Sequence, residues 1–300
     1  MLANFKNGTL LVFLTAIVSG FSIYLNKFVV SGMNAFVFTT LKNASVALLL
    51  FAVILLFAKF KELKQLSLKD WKNLFLIGLT GGSTAFLLFF YGLSITSAVN
   101  AGFIHKTLFV FAGVFALVFL KEKIEKKMLL AGIAIFASLF LLFGLKISSF
   151  NVGDLFILLA VILWSLELVL AKKSLQNLSG TTVAFGRMFF GSLIMLAFLA
   201  LSNQGGEILS LNTLQLEWVA ITGFLLFLYV VTFYNGLKLL SISKATIILL
   251  AAVPITAVLS LADARPLSVL EILGNILLLA GVVIACVGIS SLKRVLAWKA

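Results

Sequence analysis

The sequence predicts an all-α polytopic membrane protein whose ten transmembrane helices form two inverted five-helix repeats. Three observations carry that prediction. Of 300 residues, 62% are hydrophobic and 11% charged, whereas charged residues make up about 25% of an ordinary soluble domain. Apolar runs of about 18 residues or more recur along the chain, each long enough to cross a hydrocarbon core of about 30 Å as a helix. Third, a short polar connection occurs twice. Gly92-Leu93-Ser94-Ile95-Thr96-Ser97-Ala98-Val99-Asn100-Ala101 returns 144 residues later as Gly236-Leu237-Lys238-Leu239-Leu240-Ser241-Ile242-Ser243-Lys244-Ala245. Gly, Leu, Ser and Ala coincide at 92/236, 93/237, 97/241 and 101/245, and repetition at half the chain length marks a duplicated unit.

In chain order the spans are expected near 9–29, 34–58, 72–93, 98–120, 128–146, 153–172, 180–201, 217–237, 245–262 and 268–290. Lys6 before the first run superficially resembles the start of a signal peptide, but no small-residue cleavage site and soluble domain follow, so this run is read as the first span. The connections are mostly short, which sets neighbouring helices antiparallel; the longest are 59–71 and 202–216. The first repeat is expected at 8–146, the second at 153–290, and a basic cytoplasmic tail at 291–300.

The net charge of +13 sits between the apolar runs, which makes it a topological signal and excludes nucleic acid as the partner. Seventeen Lys and Arg fall on one side, in the clusters 59–72, 121–127, 172–173, 238–244 and 293–299 together with Lys6; Lys27, Lys146 and Arg265 fall on the other. Basic connections stay cytoplasmic, so both termini are expected inside a plasma (inner) membrane. Cys286 is the single cysteine, which permits no internal disulfide. Walker loops, a GxGxxG turn and a His/Cys metal cluster are all absent, and the chain has one histidine. Cofactors, enzymatic activity and ATP-driven pumping are therefore not expected.

Aligning the halves at an offset of 145 places Gly8 on Gly153, Lys27 on Lys172 and Lys42 on Arg187. Five spans is an odd number, so the second half enters the membrane upside down relative to the first. Inverted repeats of this kind are typical of secondary transporters, with substrate bound near the midplane.

At this point the chain resembles the drug/metabolite transporter superfamily, in its ten-helix EamA type. The resemblance covers about residues 8–290. It is carried by the two Gly-Leu-x-x-x-Ser-x-x-x-Ala connections, by Trp164-Ser165 in span 6, Arg187 in span 7, Pro254 in span 9 with Gly274 beyond it, and Lys121-Glu122 after span 4. The chain differs from the family pattern at Val110, where the second half has Pro254, and at Ser19-Gly20, where a Trp is usual. No acidic residue aligns with Glu122 in the second half, Asp263 being one position off. The resemblance implies secondary active transport of a small polar metabolite by alternating access, with export of amino acids or related compounds as the expected direction and substrate class.

Ionisable side chains inside a bilayer are costly and mark functional sites by default. Five fall within spans: Lys42, His105, Lys106, Glu167 and Arg187. Glu167 shares a helical face with Trp164 and is expected either to bind a substrate cation or carry a proton, or to form a structural pair with Arg187. His105 is the second proton-coupling candidate. Lys42 and Arg187, matched by the repeat, fit either an anion site or caps on the other half's helix carbonyls. Lys106 and His105 have Leu249 and Leu250 as counterparts, and that asymmetry favours a ligand. The interior charge of about +2 from Lys42, Lys106 and Arg187 against Glu167 favours a substrate carboxylate or phosphate. Trp164, Tyr91, Tyr229 and Tyr234 with Glu167 would instead suit import of a choline-like cation. A non-transporting membrane enzyme lacks a nucleophile–base set, and a scaffold leaves the five charges without a purpose. Gly274, Gly281 and Gly288, spaced by seven, allow close helix approach, either inside the bundle against Gly132 or in a homodimer. Membrane lipid covers the remaining surface.

Overall fold

The computed structural model describes residues 2–30, 33–57, 60–143, 149–263 and 266–287, and of 2–5 and 27–30 the backbone alone. The tail 291–300, Gly288, Lys59, Lys146, Arg265 and the side chain of Lys27 lie outside the described residues. Among the described residues ten helices are long and apolar enough to cross a membrane. Spans 1 to 5 are Lys6–Asn26, Ala35–Leu56, Leu68–Ile95, Ala98–Leu120 and Lys126–Phe143. Spans 6 to 10 are Val152–Ser174, Gly180–Leu201, Thr213–Leu239, Ile242–Asp263 and Val269–Val287.

At two of the bounds that differ from expectation, capping explains the difference. Span 3 begins at Leu68 because Ser67 and Asp70 form a reciprocal capping box, and span 8 begins at Thr213 because Asn212 and Gln215 form another. Both are Ser/Asn-x-x-acid/amide signatures that satisfy orphan N–H groups ahead of the apolar run.

The two halves are interleaved. Span 1 packs along span 8 of the other half, and span 6 along span 3; spans 2 and 7, 4 and 9, and 5 and 10 pack on their own counterparts. Three self-paired spans, and two pairings (1 with 8, 6 with 3) that exchange into one another, are the pattern a two-fold axis in the membrane plane produces. Large apolar side chains such as Leu48, Leu56, Val118, Leu129 and Ile276 stand exposed around the bundle, as a lipid-facing surface requires. Gly274 abuts Leu142 and Leu141, and Gly281 abuts Ala131 and Ile135. Span 10 thus closes on span 5 through these residues rather than through Gly132, whose nearest neighbour is the Phe109 ring.

Spans 4 and 9 are each broken at equivalent places. Span 4 is helical over Ala98–Lys106 and Leu108–Leu120, span 9 over Ile242–Leu249 and Ala252–Ser260. At both breaks the N–H groups turn back to the carbonyl three residues earlier, Thr107 to Ile104 and Ala251 to Ile248, each at 3.0 Å. Pro254 lies in the first turn after the second break, where a missing N–H is least missed. The first break has Val110 at the matching place, so proline does not account for the shared geometry. Thr107 Oγ1 supplies part of it there, donating to the Ile104 carbonyl at 2.6 Å.

Charged side chains cap helices at the lysine-rich end. Lys172 Nζ donates to the carbonyls of Leu237, Lys238 and Leu240 at 2.7, 3.2 and 2.6 Å, closing the C-terminus of span 8. Lys238 Nζ answers by donating to the Leu178 carbonyl at 2.9 Å. Glu122 Oε1 accepts from Ile242 N at 3.0 Å, at the start of span 9. A cation on orphan C-terminal carbonyls is the favourable polarity. Lys172→Met keeps the aliphatic stem and should cost about 1.5–3 kcal/mol, read as a lower melting temperature in detergent.

Candidate functional site

The site is built around a widened turn in span 3. Residues Gly78–Thr84 form a π-helical segment, a conformation often found at functional sites. Its glycines let neighbouring helices come close. A Cβ at Gly81 would collide with the Glu167 side chain, one at Gly82 with the Arg187 carbonyl oxygen, and one at Gly78 would meet Phe190 Cβ at 2.5 Å. The carbonyls of this turn point at polar side chains from both halves. Trp164 Nε1 and Arg187 Nη2 both donate to the Gly81 carbonyl, at 3.1 and 2.9 Å. Asn43 Nδ2 donates to the Gly82 carbonyl at 3.1 Å.

Glu167, 3% exposed, lies against this turn. Tyr234 donates its hydroxyl to Glu167 Oε1 at 2.5 Å, and Arg187 Nε stands 3.9 Å from the same oxygen. The ion pair is loose, since Arg187 Nε is buried without a hydrogen bond while the far end of the guanidinium is committed to Gly81. Asn43 Oδ1 and Thr39 Oγ1 are also buried and unpartnered. Tyr229 stacks on Phe233 at 5.7 Å. Aromatic rings wall the cluster toward the lysine-poor end: Trp164 lies 5.3 Å from Phe86, 5.5 Å from Phe89 and 5.3 Å from His105, and the Arg187 guanidinium lies 5.8 Å from the Phe86 ring centre.

The structure therefore brings together Trp164, Glu167, Arg187 and Tyr234, with His105 at the aromatic edge. It does not bring Tyr91, which is 51% exposed and meets the Phe156 ring edge-on at 4.9 Å. Tyr91 lies one turn from the end of span 3, where its face turns outward. Of the two matched cations, Arg187 bonds a carbonyl of the other half, in the π-turn rather than at a helix end. Lys42 instead sits 4.6 Å from the ring of Phe38 on its own helix and makes no hydrogen bond or ion pair with the described residues. Lys106 likewise makes none, and it adjoins the break at Thr107. Among the described residues no group of three or more His, Cys, Asp and Glu could hold a metal.

Three elements escape a search for charge in the middle of spans. The π-turn glycines are signalled only by Gly78-Leu-Thr-Gly-Gly-Ser-Thr84 standing mid-span. Asn43, next to Lys42, carries no charge. Asp154 is fully buried at the start of span 6, accepting from Thr96 Oγ1 at 2.5 Å, Asn100 Nδ2 at 2.9 Å and Asn151 N at 3.0 Å. It fastens the first of the duplicated connections.

Interleaved five-helix repeats enclosing a buried polar cluster define a membrane transporter of the drug/metabolite type, and comparison with known proteins agrees. The model of the EamA-like transporter family matches the chain twice, at residues 6–144 and 151–287. The chain belongs to that family. It is similar to the uncharacterized transporter YyaM of Bacillus subtilis (strain 168), with 24% identity over 243 residues and 78% of each chain covered. An uncharacterized transporter of Archaeoglobus fulgidus shares 26% over 214 residues, 70% of this chain and 63% of that one. Protein LicB of Haemophilus influenzae shares 32% over 170 residues, 55% of this chain and 56% of LicB, so the match spans little more than half of that relative. A solved structure described as "Crystal structure of protein" has the same fold, with a TM-score of 0.75 at 17% identity over 93% of this chain and 96% of that one.

Proposed function

We propose that the protein is a secondary active transporter of a small polar metabolite bearing a carboxylate, an amino acid or a close relative, moved by alternating access. One observation carries the substrate class. Lys42 and Lys106 lie seven and eight residues into spans 2 and 4, both about 10–12 Å from the lysine-poor end at 1.5 Å per residue, and neither has a counter-ion or hydrogen-bond acceptor among the described residues. Glu167 is already held by Tyr234 and Arg187, and the buried carboxylate of Asp154 by Thr96, Asn100 and Asn151. Uncompensated ammonium groups at that depth are expensive, and a substrate carboxylate offsets the cost. The outward direction follows the family resemblance, and the lysine-rich end is assigned to the cytoplasm by the positive-inside rule.

Proton coupling would run through Glu167, whose hold on Arg187 is loose enough to exchange for a proton, or through His105. In proteoliposomes, uptake of a cognate amino acid should fall at least tenfold in Lys42→Gln and in Lys106→Gln, and Glu167→Gln should lose the response to a pH gradient. Unchanged uptake in both lysine variants would remove the anion site; an unchanged gradient response would remove the coupling. The aromatic corner of Trp164, Phe86 and Phe89 beside Glu167 favours a second reading, import of a choline-like cation. Choline uptake that survives the lysine changes and is lost in Trp164→Ala would select it.

A further inference from the structure

At the offset of 145 that superposes Lys42 on Arg187, two more pairs fall into register, Asn34 with Ser179 and Glu62 with Glu207. In each half the first member caps the second span. Asn34 Oδ1 accepts from Phe36 N at 2.9 Å, and Ser179 Oγ accepts from Thr182 N at 3.2 Å. The glutamate of each half lies on a short helical turn in the connection that follows, Phe60–Lys64 in one and Gly205–Ile208 in the other. Both carboxylates reach across to the other half's cap.

The two contacts are made differently. At the lysine-rich face the main-chain N–H of Ser179 donates to Glu62 Oε1 at 2.6 Å, partly buried. At the opposite face the side chain of Asn34 donates to Glu207 Oε1 at 3.2 Å, exposed to solvent, and to Gln204 Oε1 at 2.9 Å. Glu62 thus grips the helix terminus itself, where an anion is favoured, while Glu207 holds it only through the cap side chain. A two-fold axis in the membrane plane makes these one contact in two conditions. Exchanging the conformations of the repeats turns a molecule tight at one face into one tight at the other.

We propose that Glu62–Ser179 and Glu207–Asn34 are reciprocal latches at opposite membrane faces, the first engaged in this structure and the second slack, and that the transport cycle exchanges them. After exchange Glu207 takes the Asn34 main-chain N–H, and Glu62 falls back to the Ser179 side chain. The other charged caps do not take part. Lys172 and Lys238 act within one half, and the Glu122–Ile242 contact has no equivalent.

The latches rest on the alternating-access reading, so their test needs neither substrate nor flux. In a Cys286→Ser background, Ser243→Cys places one thiol near the crossing of spans 4 and 9. There the serine hydroxyl is buried and lies 3.7 Å from a Cβ built on Gly113. Maleimide labelling of this thiol in detergent-solubilised protein reads opening at the lysine-rich face. Glu62→Ala should raise the labelling rate several-fold, Glu207→Ala should lower it, and the double variant should return toward the starting rate. Glu62→Gln keeps an acceptor oxygen and should change it least. Equal rates in both alanine variants, or shifts of the same sign, overturn the latches. Should Glu62→Ala fail to fold, Glu207→Ala decides alone, an undiminished rate counting against them. Opposite shifts in a protein that fails the amino-acid assay leave the latches standing and remove only the substrate.

Discussion

Arg187→Ala is expected to lower the stability of the folded protein by about 3–5 kcal/mol, the range for breaking a buried ion pair from one side. The substitution does three things at once. It strips Glu167 of the one cation paired with it among the described residues, leaves the Gly81 carbonyl with Trp164 as its remaining side-chain donor there, and opens space beside Phe86. Desolvation of the orphaned carboxylate dominates, because Tyr234 alone must then hold it. The ordering of variants follows. Glu167→Gln in the Arg187→Ala background should recover more than half of the loss, since a neutral amide can still accept from Tyr234. Arg187→Lys should recover less, as an ammonium cannot bond Gly81 and face Glu167 with the planar fork of a guanidinium. Thermal melting in detergent measures each. If Arg187→Ala melts with the parent and loses only transport, Arg187 is a substrate ligand and the cluster is not a scaffold.

Most of the fold was legible because membranes enforce a simple code. A bilayer core satisfies no backbone group, so ten apolar runs of sufficient length become ten helices. The offset between the two Gly-Leu connections then gives the inverted pairing. What escaped was local geometry inside a span. The breaks at Thr107 and Leu250–Ala251 and the π-turn at Gly78–Thr84 lie inside runs that read as single spans. Hydropathy records length and polarity, and these features are set by a threonine hydroxyl, by packing of the other half, and by glycines that admit it.

The candidate site was legible as a set of charges but not as an arrangement. Glu167, Trp164 and Arg187 stand out because ionisable and indole groups in a span are rare, and the structure places all three on one turn of span 3. Tyr91 shows the limit of the same reasoning. Its residue type suits a binding pocket, yet helical phase turns it outward, and phase is hard to fix in a helix apolar on every side. That Lys42 and Lys106 have no ion-pair partner among the described residues is likewise a property of packing. No sequence spacing distinguishes an ammonium with a partner three helices away from one without.

The duplicated glycines give the second large effect. Gly92 of span 3 meets Gly153 of span 6, and the equivalent pair is Gly236 of span 8 with Gly8 of span 1. The two crossings present different obstacles at the same distances. A Cβ on Gly92 would lie 2.6 Å from the Gly153 carbonyl oxygen, and one on Gly153 would lie 2.8 Å from the Gly92 carbonyl oxygen. Neither obstacle can rotate away, so the helices themselves must separate. At the equivalent crossing a Cβ on Gly236 first meets the end of a side chain, Val12 Cγ2 at 2.6 Å, while one on Gly8 meets Leu239 Cβ at 2.8 Å, which its own backbone holds. Overpacking costs about 1–3 kcal/mol, and replacing glycine by alanine in a helix returns up to about 1 kcal/mol, equally at both crossings. The difference between matched sites therefore isolates the steric part. Gly92→Ala should destabilise clearly more than Gly236→Ala, and Gly92→Val most of all, with melting temperatures in that order. Equal losses at 92 and 236 would mean that the two crossings yield alike and that the backbone contact of Gly92 with Gly153 sets no limit on how the halves pack.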